Sequence, residues 1–324
     1  MTNSSHSVPV PVYVGIDVAK LKLDLARSDS DSIAGFSNDS QGIAQIIASL
    51  KHAAITSIVI EATGGLERPL LDALLDAQLP VALVNPGQVR SFARGIGKLA
   101  KTDAIDAVVL VEYARRASPR LAEKRSKNQA ELESLVTCRR QLLHVRTEQT
   151  NRRSSTTSAS ARKAIDAVLK TVNRQILELD RKIAKLIESD DDMNHTSKLL
   201  ASVPGVGMVL SATLLSELSE IGIIGRRQLC ALVGVAPFNC DSGKFRGKRA
   251  IRGGRTSVRS VLYMASIAAM RFNPVIRRFA QRLKQAGKLN KVIIVACMRK
   301  LLSILHAMVR DDLSWDQLNL VKNA

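Results

Sequence analysis

The sequence predicts an α/β N-terminal region, a helical middle region and a mainly α-helical C-terminal region. Three observations support this division of the 324 residues. Strand-like and helix-like runs alternate up to about residue 118, a purely helical pattern covers about 128 to 187, and positive charge is concentrated from Lys198 onwards. The mixed order of strands and helices in the first region indicates a sheet covered by helices.

Four short segments of the first region have the pattern of β-strands. They are the apolar run 12–16, which ends at Asp17, the alternating run 21–26, the apolar run 57–60, which ends at Glu61, and the run 81–84. Asn85-Pro86-Gly87 follows the last of them and is typical of a turn.

The middle region has the spacing of a coiled coil. Its apolar residues alternate in steps of four and three over three heptads, namely Ile165, Leu169, Val172, Ile176, Leu179, Ile183 and Leu186. An earlier helix precedes them, and the joint between the two, residues 151–161, is rich in Ser, Thr and Arg. The pattern fits an antiparallel helical hairpin or a seam shared with another subunit.

The net charge of +19 indicates a polyanionic partner, because neutralising phosphates releases counterions. From Lys198 to the end there are 21 Lys and Arg against 6 Asp and Glu. A membrane surface would also attract such a chain, but the best apolar run, 292–309, is interrupted by Arg299 and Lys300. The first ten residues lack the pattern of a signal peptide, so we expect a cytoplasmic, nucleoid-associated protein.

The four cysteines form no CxxC pair and the five histidines form no close cluster, so we expect no zinc site. The low aromatic content, 3%, argues against recognition mainly by base stacking.

Four acidic residues form the first candidate site. Asp17 and Glu61 end predicted strands, where open sheets place their ligands. Asp103 and Asp106 share one face of a predicted helix for which Thr102 is a plausible N-cap. Clustered carboxylates suit Mg²⁺, and two ions about 4 Å apart can promote phosphoryl transfer.

Each of these acids also has a simpler interpretation. Asp17 could merely end a strand, Glu61 could be a loop acid, and the helical pair could be solvated surface charges. Asp24 and Glu67 are nearby alternatives, and we prefer Asp17 and Glu61 because they lie at strand ends.

A glycine-containing turn, 203–207, lies between two helical runs in the C-terminal region. It looks like a helix-hairpin-helix, in which Gly205 and Gly207 would let the backbone hold a DNA phosphate. A plain structural turn fits the pattern equally well.

Ser242 lies in a glycine-rich, electropositive segment that we expect to be a flexible turn. Seven basic residues and no acid lie between Lys244 and Arg259. Cations and a nearby metal could activate the serine hydroxyl as a nucleophile. The simpler interpretation is a phosphate-binding loop whose serine donates a hydrogen bond. The nucleic-acid-binding candidates of this segment are Lys244, Arg246, Lys248, Arg249, Arg252 and Arg255.

Three further helices are predicted over 258–272, 274–285 and 292–309. They carry five cations that either contact nucleic acid or lie on the surface without a functional role: Arg271, Arg277, Arg278, Arg299 and Lys300.

The motifs together resemble the DEDD transposases of bacterial insertion sequences, the IS110 family, to which Piv-type DNA invertases are similar. The resemblance rests on segments 15–20, 61–64, 85–86 and 101–107, and on most of the C-terminal region. It implies an RNase H-like (RuvC-like) domain over 10–120, a helical coiled-coil spacer over 121–195 and a basic domain over 196–324. It also implies that Asp17, Glu61, Asp103 and Asp106 form one site for Mg²⁺ or Mn²⁺, and that Ser242 is the catalytic serine of a Ser-Gly motif.

The resemblance implies a transposase that cleaves and rejoins DNA through a covalent phosphoserine, guided by an RNA of the mobile element. Since serine and acids lie in different regions, we expect a homo-oligomer, a dimer or tetramer, in which the two meet. Two other classes of protein stay open: a RuvC-like nuclease that uses water, and a non-enzymatic nucleic-acid-binding protein.

Overall fold

The computed structural model describes residues 11–51, 53–98, 103–239, 241–243, 245–247 and 249–318, without the side chains of residues 103 and 104. The chain divides into two compact units, Met1–Arg125 and Ser126–Ala324. The helices of the predicted spacer pack in the same unit as the C-terminal helices. The spacer as a separate domain stays a prediction.

The first unit contains a five-stranded mixed sheet. Its elements are β1 (Val12–Val18), β2 (Lys22–Arg27), β3 (Ser30–Ser37), α1 (Ser40–Leu50), β4 (Ile55–Glu61), α2 (Arg68–Asp76), β5 (Val81–Val84), α3 (Pro86–Gly95) and α4 (Asp103–Ala117). The strand order is β3-β2-β1-β4-β5, with β1, β2 and β3 antiparallel and β1, β4 and β5 parallel. This arrangement fits the RNase H-like domain implied by the resemblance.

Both faces of the central strands are buried, which explains their continuous apolar sequence. On one face Ile16 and Ile60 pack with the inner residues of α1 and α2. On the other face Val59 and Ala82 pack with α3 and α4. The sheet therefore forms the middle of three layers.

Two details of this unit differ from the sequence-based expectation. The sequence does not predict the edge strand β3, because almost all its residues are exposed and it lacks an apolar face. The segment Asn85-Pro86-Gly87, predicted as a turn, instead begins α3: Asn85 caps the helix by accepting from the N–H of Gly87, and Pro86 fills the first helical position.

The second unit is mainly helical, as predicted. Its helices are α5 (Lys127–Ser155), α6 (Ala159–Glu188), α7 (Asp191–Ala201), α8 (Met208–Glu217), α9 (Arg226–Val233), α10 (Thr256–Phe272), α11 (Pro274–Gln285) and α12 (Asn290–Asp311). Four two-residue strands lie between α9 and α10: β6 (Pro237–Phe238), β7 (Asp241–Ser242), β8 (Phe245–Arg246) and β9 (Ala250–Ile251).

The helices α5 and α6 pack against each other as a long hairpin. Three residues join them, fewer than the predicted joint, because both helices extend through its polar residues. Val172, Ile176 and Ile183 of the predicted seam are buried, and Arg139 of α5 pairs with Asp180 of α6 at 2.5 Å. Whether this hairpin is a coiled coil in the strict sense stays a prediction.

The helix α12 is long and apolar enough to cross a membrane by length and composition alone. Half of its apolar stretch is buried within the unit. Ile293, Leu301 and Leu305 belong to the hydrophobic core that α12 shares with α10 and α11. These contacts account for its apolar sequence as that of a core helix.

Candidate active site

Asp17 and Glu61 lie at the carboxyl ends of two neighbouring parallel strands. Ile16 pairs with Ile60, so the next residue on each strand is one of the two acids. Both acidic residues are half-buried. The structure therefore brings these predicted acids to the same edge of the sheet.

Gly15 determines how α4 packs beside them. A Cβ at Gly15 would lie 2.3 Å from the carbonyl oxygen of Ala107 and 2.7 Å from the Cβ of Leu110, so only glycine allows this contact. Tyr13, two residues before Gly15, packs against a small cluster that includes Ala107 and Val111 of α4. The helix whose first turn contains Asp103 and Asp106 therefore packs directly against β1, the strand that bears Asp17.

The donor atoms at this edge suit a divalent cation. Asp17, Glu61 and Asp106 are half-buried carboxylates, the hard oxygen ligands that Mg²⁺ and Mn²⁺ prefer. Among the side chains that the structure describes, no group of three or more acids, histidines or cysteines is close enough to hold a metal ion. The side chain of Asp103, the fourth ligand of the predicted set, and the predicted cap Thr102 lie outside the described residues.

Asp24, one of the alternative acids, lies directly opposite Asp17 in the antiparallel ladder. Its side chain is buried and pairs with Lys22 at 2.7 Å. Paired residues on adjacent strands share a face of the sheet, so Asp24 lies beside the candidate site with its charge compensated by Lys22.

Glu67, the other alternative, has a structural role in the loop that follows Glu61. One of its carboxylate oxygens accepts from the N–H groups of Thr63 and Gly65 at 3.0 and 2.9 Å, and from the Thr63 hydroxyl at 3.2 Å. Burial raises the pKa of Glu67, but these hydrogen bonds outweigh burial and hold its pKa below the ordinary value. This acid stabilises the loop, which supports the choice of Glu61 as the candidate ligand.

Ser242 lies near the tip of a narrow β-ribbon and not in a flexible turn. We call residues 234–255 the serine arm. Within it β6 pairs with β9, and further out β7 pairs with β8, so that Ser242 is opposite Phe245. Ser242 is exposed, and Gly243 follows it with a φ of +52° at the turn. The ribbon presents the serine hydroxyl to solvent at its outer end.

The two ends of the serine arm are held tightly together. A Cβ at Gly254 would lie 2.3 Å from the backbone nitrogen of Gly234, so the two ends of the arm are in contact at these glycines. One guanidinium nitrogen of Arg259 donates to the carbonyl of Gly253 and, at 3.4 Å, to that of Gly234. The N–H of Arg255 donates to the carbonyl of Leu232 at 2.9 Å. These contacts give the arm a rigid base.

The predicted nucleic-acid-binding cations of the arm have different surroundings. Arg252 lies over the ring of Phe238, 5.1 Å from its centre, and Arg246 is 3.6 Å from Asp241. Arg249 is exposed, whereas both terminal nitrogens of Arg255 bind Glu220. Lys244 and Lys248 lie outside the described residues.

The two glycines of the predicted hairpin turn also differ. A Cβ at Gly205 would lie 2.6 Å from the backbone of Ala269, so this glycine lets the turn pack against α10. Gly207 is the N-cap of α8 and has open space around it. A helix-hairpin-helix that binds phosphate stays a prediction.

Comparison with known proteins identifies the family. A transposase family model, described as DEDD transposase of IS110 type, matches residues 14–157, and a model for the IS116/IS110/IS902 transposase family matches residues 197–281. The pilin gene-inverting protein of Moraxella bovis is 31% identical over 320 residues, which cover 94% of this chain and 98% of that protein. The chain belongs to the IS110 family of transposases.

Further similarities are more distant. The transposase of insertion element IS1111A from Coxiella burnetii is 23% identical over 71% of this chain and 70% of that protein. A solved structure of T. thermophilus RuvC in complex with a Holliday junction substrate matches 35% of this chain and all of that chain, with 17% identity and a TM-score of 0.27.

This IS110-family protein is therefore a DNA recombination enzyme, a transposase related to the pilin gene-inverting proteins, and DNA is its partner. The sequence pattern did not identify the residues that support the site, namely Arg259, Glu217, Glu220 and Gly254. Each acts through a contact with a residue distant in sequence, and no local spacing reveals such a contact.

Proposed function

We propose that this transposase cleaves DNA by attack of the Ser242 hydroxyl on a phosphodiester and rejoins it through the resulting phosphoserine. The observation that carries this proposal is the position of Ser242, exposed at the outer end of a ribbon whose base is fixed by glycine contacts and Arg259. A nucleophile needs access to the phosphorus atom and a defined direction of approach, and the arm supplies both.

In the proposed first step the Oγ–phosphorus bond forms while the bond from phosphorus to the leaving sugar oxygen breaks. Ser242 gives up its proton and the leaving oxygen takes one. In the second step a free DNA end attacks the phosphoserine, releases Ser242 and restores a phosphodiester. Since the bond energy is conserved in the intermediate, the exchange needs no ATP, and the sequence has no GxxxxGK[ST] motif.

Asp17, Glu61, Asp103 and Asp106 would hold the divalent metal, Mg²⁺ or Mn²⁺. When bound, such ions stabilise negative charge on a transferring phosphoryl group and favour deprotonation of a hydroxyl. The half-buried Asp17 and Glu61 are fixed by adjacent strands, and Asp106 is fixed by the helix that packs on Gly15. The sheet and α4 thus fix the backbone positions from which these side chains would bind the metal.

The exposed cations of the serine arm, Arg246, Arg249 and Arg252, would hold the DNA backbone beside Ser242. We also propose that a guide RNA, implied by the family resemblance, directs the enzyme, and that a homo-oligomer brings serine and acids to the same phosphodiester. The guide RNA would be supported if RNA copurified with the protein and if ribonuclease, by removing this RNA, abolished strand exchange. Light scattering of the full chain would give the oligomer number.

Trapping the covalent intermediate tests the proposed function. A nicked duplex that loses its leaving fragment after the first step should become linked to the full-length protein, and peptide mapping should locate the link at Ser242. Ser242→Ala should abolish the adduct, while Ser260→Ala, an exposed serine on α10, should leave it unchanged. Asp17→Asn should retain DNA binding and lose cleavage.

A nuclease that uses water would give a different result in the same assay. Such a nuclease would still cut DNA when Ser242 is replaced by Ala. Neither the parent protein nor this variant would form a covalent adduct. Retained cleavage by that variant would overturn the serine mechanism while leaving the acids as the catalytic site.

A further inference from the structure

A second concentration of positive charge lies on α11 and on the two helices packed against it, which follow the serine arm in the sequence. Between Ser242 and Arg310 the sequence has 17 Lys and Arg and no Asp or Glu. Seven of these cations belong to the segment 244–259, and most of the others lie on the exposed side of the last three helices. We call six of these the α11 basic face: Arg271, Arg277, Arg278, Arg282, Lys284 and Lys300.

Several arginines of this unit are paired with acidic side chains, whereas the six cations of the α11 basic face have no such partner among the described residues. Arg139, Arg140 and Arg255 each form an ion pair with a carboxylate. For the α11 basic face, no ion pair with Asp or Glu occurs in the part of the chain that the structure describes. Four of the six cations lie on the short helix α11, and uncompensated like charges repel each other, so this surface is unfavourable for the free protein and favourable for binding a polyanion.

Aromatic rings hold some of these cations in place. The side chains of Arg282 and Lys300 lie over the ring of Phe279, 5.3 and 5.2 Å from its centre, and so connect α11 with α12. Arg271 lies 5.7 Å from the centre of the Phe272 ring, which is itself 65% exposed. Cation–π contacts restrict the side chains without neutralising their charge.

The remaining surface of α11 is also polar and accessible. Its buried residues, Ile276 and Ala280, face the core, and Asn273 caps its first N–H groups at 3.0 and 3.1 Å. The helix N-terminus is thus already satisfied within the protein, and the binding capacity of this face comes from side chains.

We propose that the α11 basic face is a second binding site for the backbone of duplex DNA, separate from the serine arm. In the sequence the 17 residues of α10 separate α11 from the serine arm. In this proposal the side chains of α11 hold the backbone of a part of the DNA other than the phosphodiester at Ser242, and base sequence plays no part because phosphate contacts carry no base information.

The salt dependence of DNA binding tests this site. The test variant combines Arg277→Gln, Arg278→Gln and Arg282→Gln in the full-length Ser242→Ala protein. The plot of log K against log salt has a negative slope, and its steepness should decrease by about 0.9 for each lost phosphate contact, hence by up to about 3. The probe is a fluorescent duplex of random sequence, measured by anisotropy. The Ser242→Ala background prevents reaction, so the outcome does not depend on the serine mechanism.

A matched control removes three exposed cations from α6 by Lys163→Gln, Arg181→Gln and Lys182→Gln. This variant has the same net charge as the α11 variant, and its slope should stay within about 0.5 of that of the parent. An equal loss in both variants, or no loss in the α11 variant, would overturn the proposal. A loss seen with an RNA hairpin but not with the DNA duplex would overturn it as well. Circular dichroism should show unchanged helix content, because all substituted side chains are exposed.

Discussion

Arg255 and Glu220 form a bidentate ion pair at the base of the serine arm, with N–O distances of 2.6 and 2.7 Å. The same guanidinium also donates to the carbonyl of Glu217 at 2.8 Å. Glu217 in turn accepts from Ser257 at the start of α10 and from Arg140 of α5. The arm is thus connected through two carboxylates to α8, α10 and the long helical hairpin.

Replacing Arg255 should affect stability more than DNA affinity. Hydrogen bonds to charged groups contribute about 1.5–3 kcal/mol, so Arg255→Ala should lower the free energy of unfolding by roughly this amount. Arg252→Ala, which removes an exposed cation of the same arm, should instead weaken DNA binding and leave stability within about 0.5 kcal/mol. Urea midpoints and anisotropy titrations of both variants provide the comparison. If the effects of the two substitutions were exchanged, Arg255 would be the DNA contact.

A double-mutant cycle measures the interaction energy between Arg255 and Glu220. Glu220→Gln combined with Arg255→Ala should cost less than the sum of the single changes, with a coupling of about 1–3 kcal/mol. Strict additivity would mean that the two side chains do not interact in solution.

Gly253 and Gly254 allow the effect of backbone strain on stability to be measured separately from the effect of close packing. Gly253 and Gly254 have φ values of +67° and +71°, but only at Gly254 would an added Cβ lie within 3 Å of a neighbour, the backbone of Gly234. Gly253→Ala should therefore lower stability by about 1–2 kcal/mol through its left-handed conformation alone. Gly254→Ala should cost more and should open the base of the arm. Limited proteolysis within residues 234–255 should be faster for the second variant only; equal rates would argue against the close contact.

Much of the first unit could be predicted from the sequence because its strands are buried on both faces and therefore continuously apolar. Asp17 and Glu61 could be assigned to strand ends for the same reason. The edge strand β3 could not, since an exposed strand has no apolar periodicity. The two-residue strands around Ser242 are too short to give any periodic signal.

The support of the serine arm depends on contacts between residues far apart in sequence. Arg259 looks like one more cation of a basic run, yet it binds backbone carbonyls at both ends of the arm. Arg255 and Arg252 are also equivalent in sequence, and only the structure shows that Glu220 pairs with one of them. Charge spacing indicates a polyanion-binding region but does not distinguish structural arginines from binding ones.

The loop after Glu61 should lose stability in acid through Glu67. Because the folded-state pKa of Glu67 is lowered, its contribution is present above the unfolded-state pKa, about 4.3, and disappears as the pH falls through the folded-state value. Glu67→Gln should thus be less stable than the parent at pH 7 and approach it below about pH 4. Unfolding free energies measured from pH 3 to 7 would show this convergence. A constant difference at all pH values would indicate that the ionised carboxylate is not what stabilises the loop.

Gly15 provides a test of the metal site that does not alter any of its proposed ligands. A methyl group at Gly15 would meet the backbone of Ala107 at 2.3 Å, so Gly15→Ala should push α4 away from β1 and move Asp106 relative to Asp17. Overpacking of this kind costs about 1–3 kcal/mol. Calorimetry should show Mn²⁺ binding at least about tenfold weaker, since 1.4 kcal/mol of lost interaction corresponds to that factor. Gly95→Ala in α3, where a Cβ has open space, should leave both stability and Mn²⁺ binding unchanged or slightly improved. Unchanged Mn²⁺ affinity in a folded Gly15→Ala protein would show that the position of α4 does not determine the site, and Asp106 would then have to be removed from the proposed ligand set.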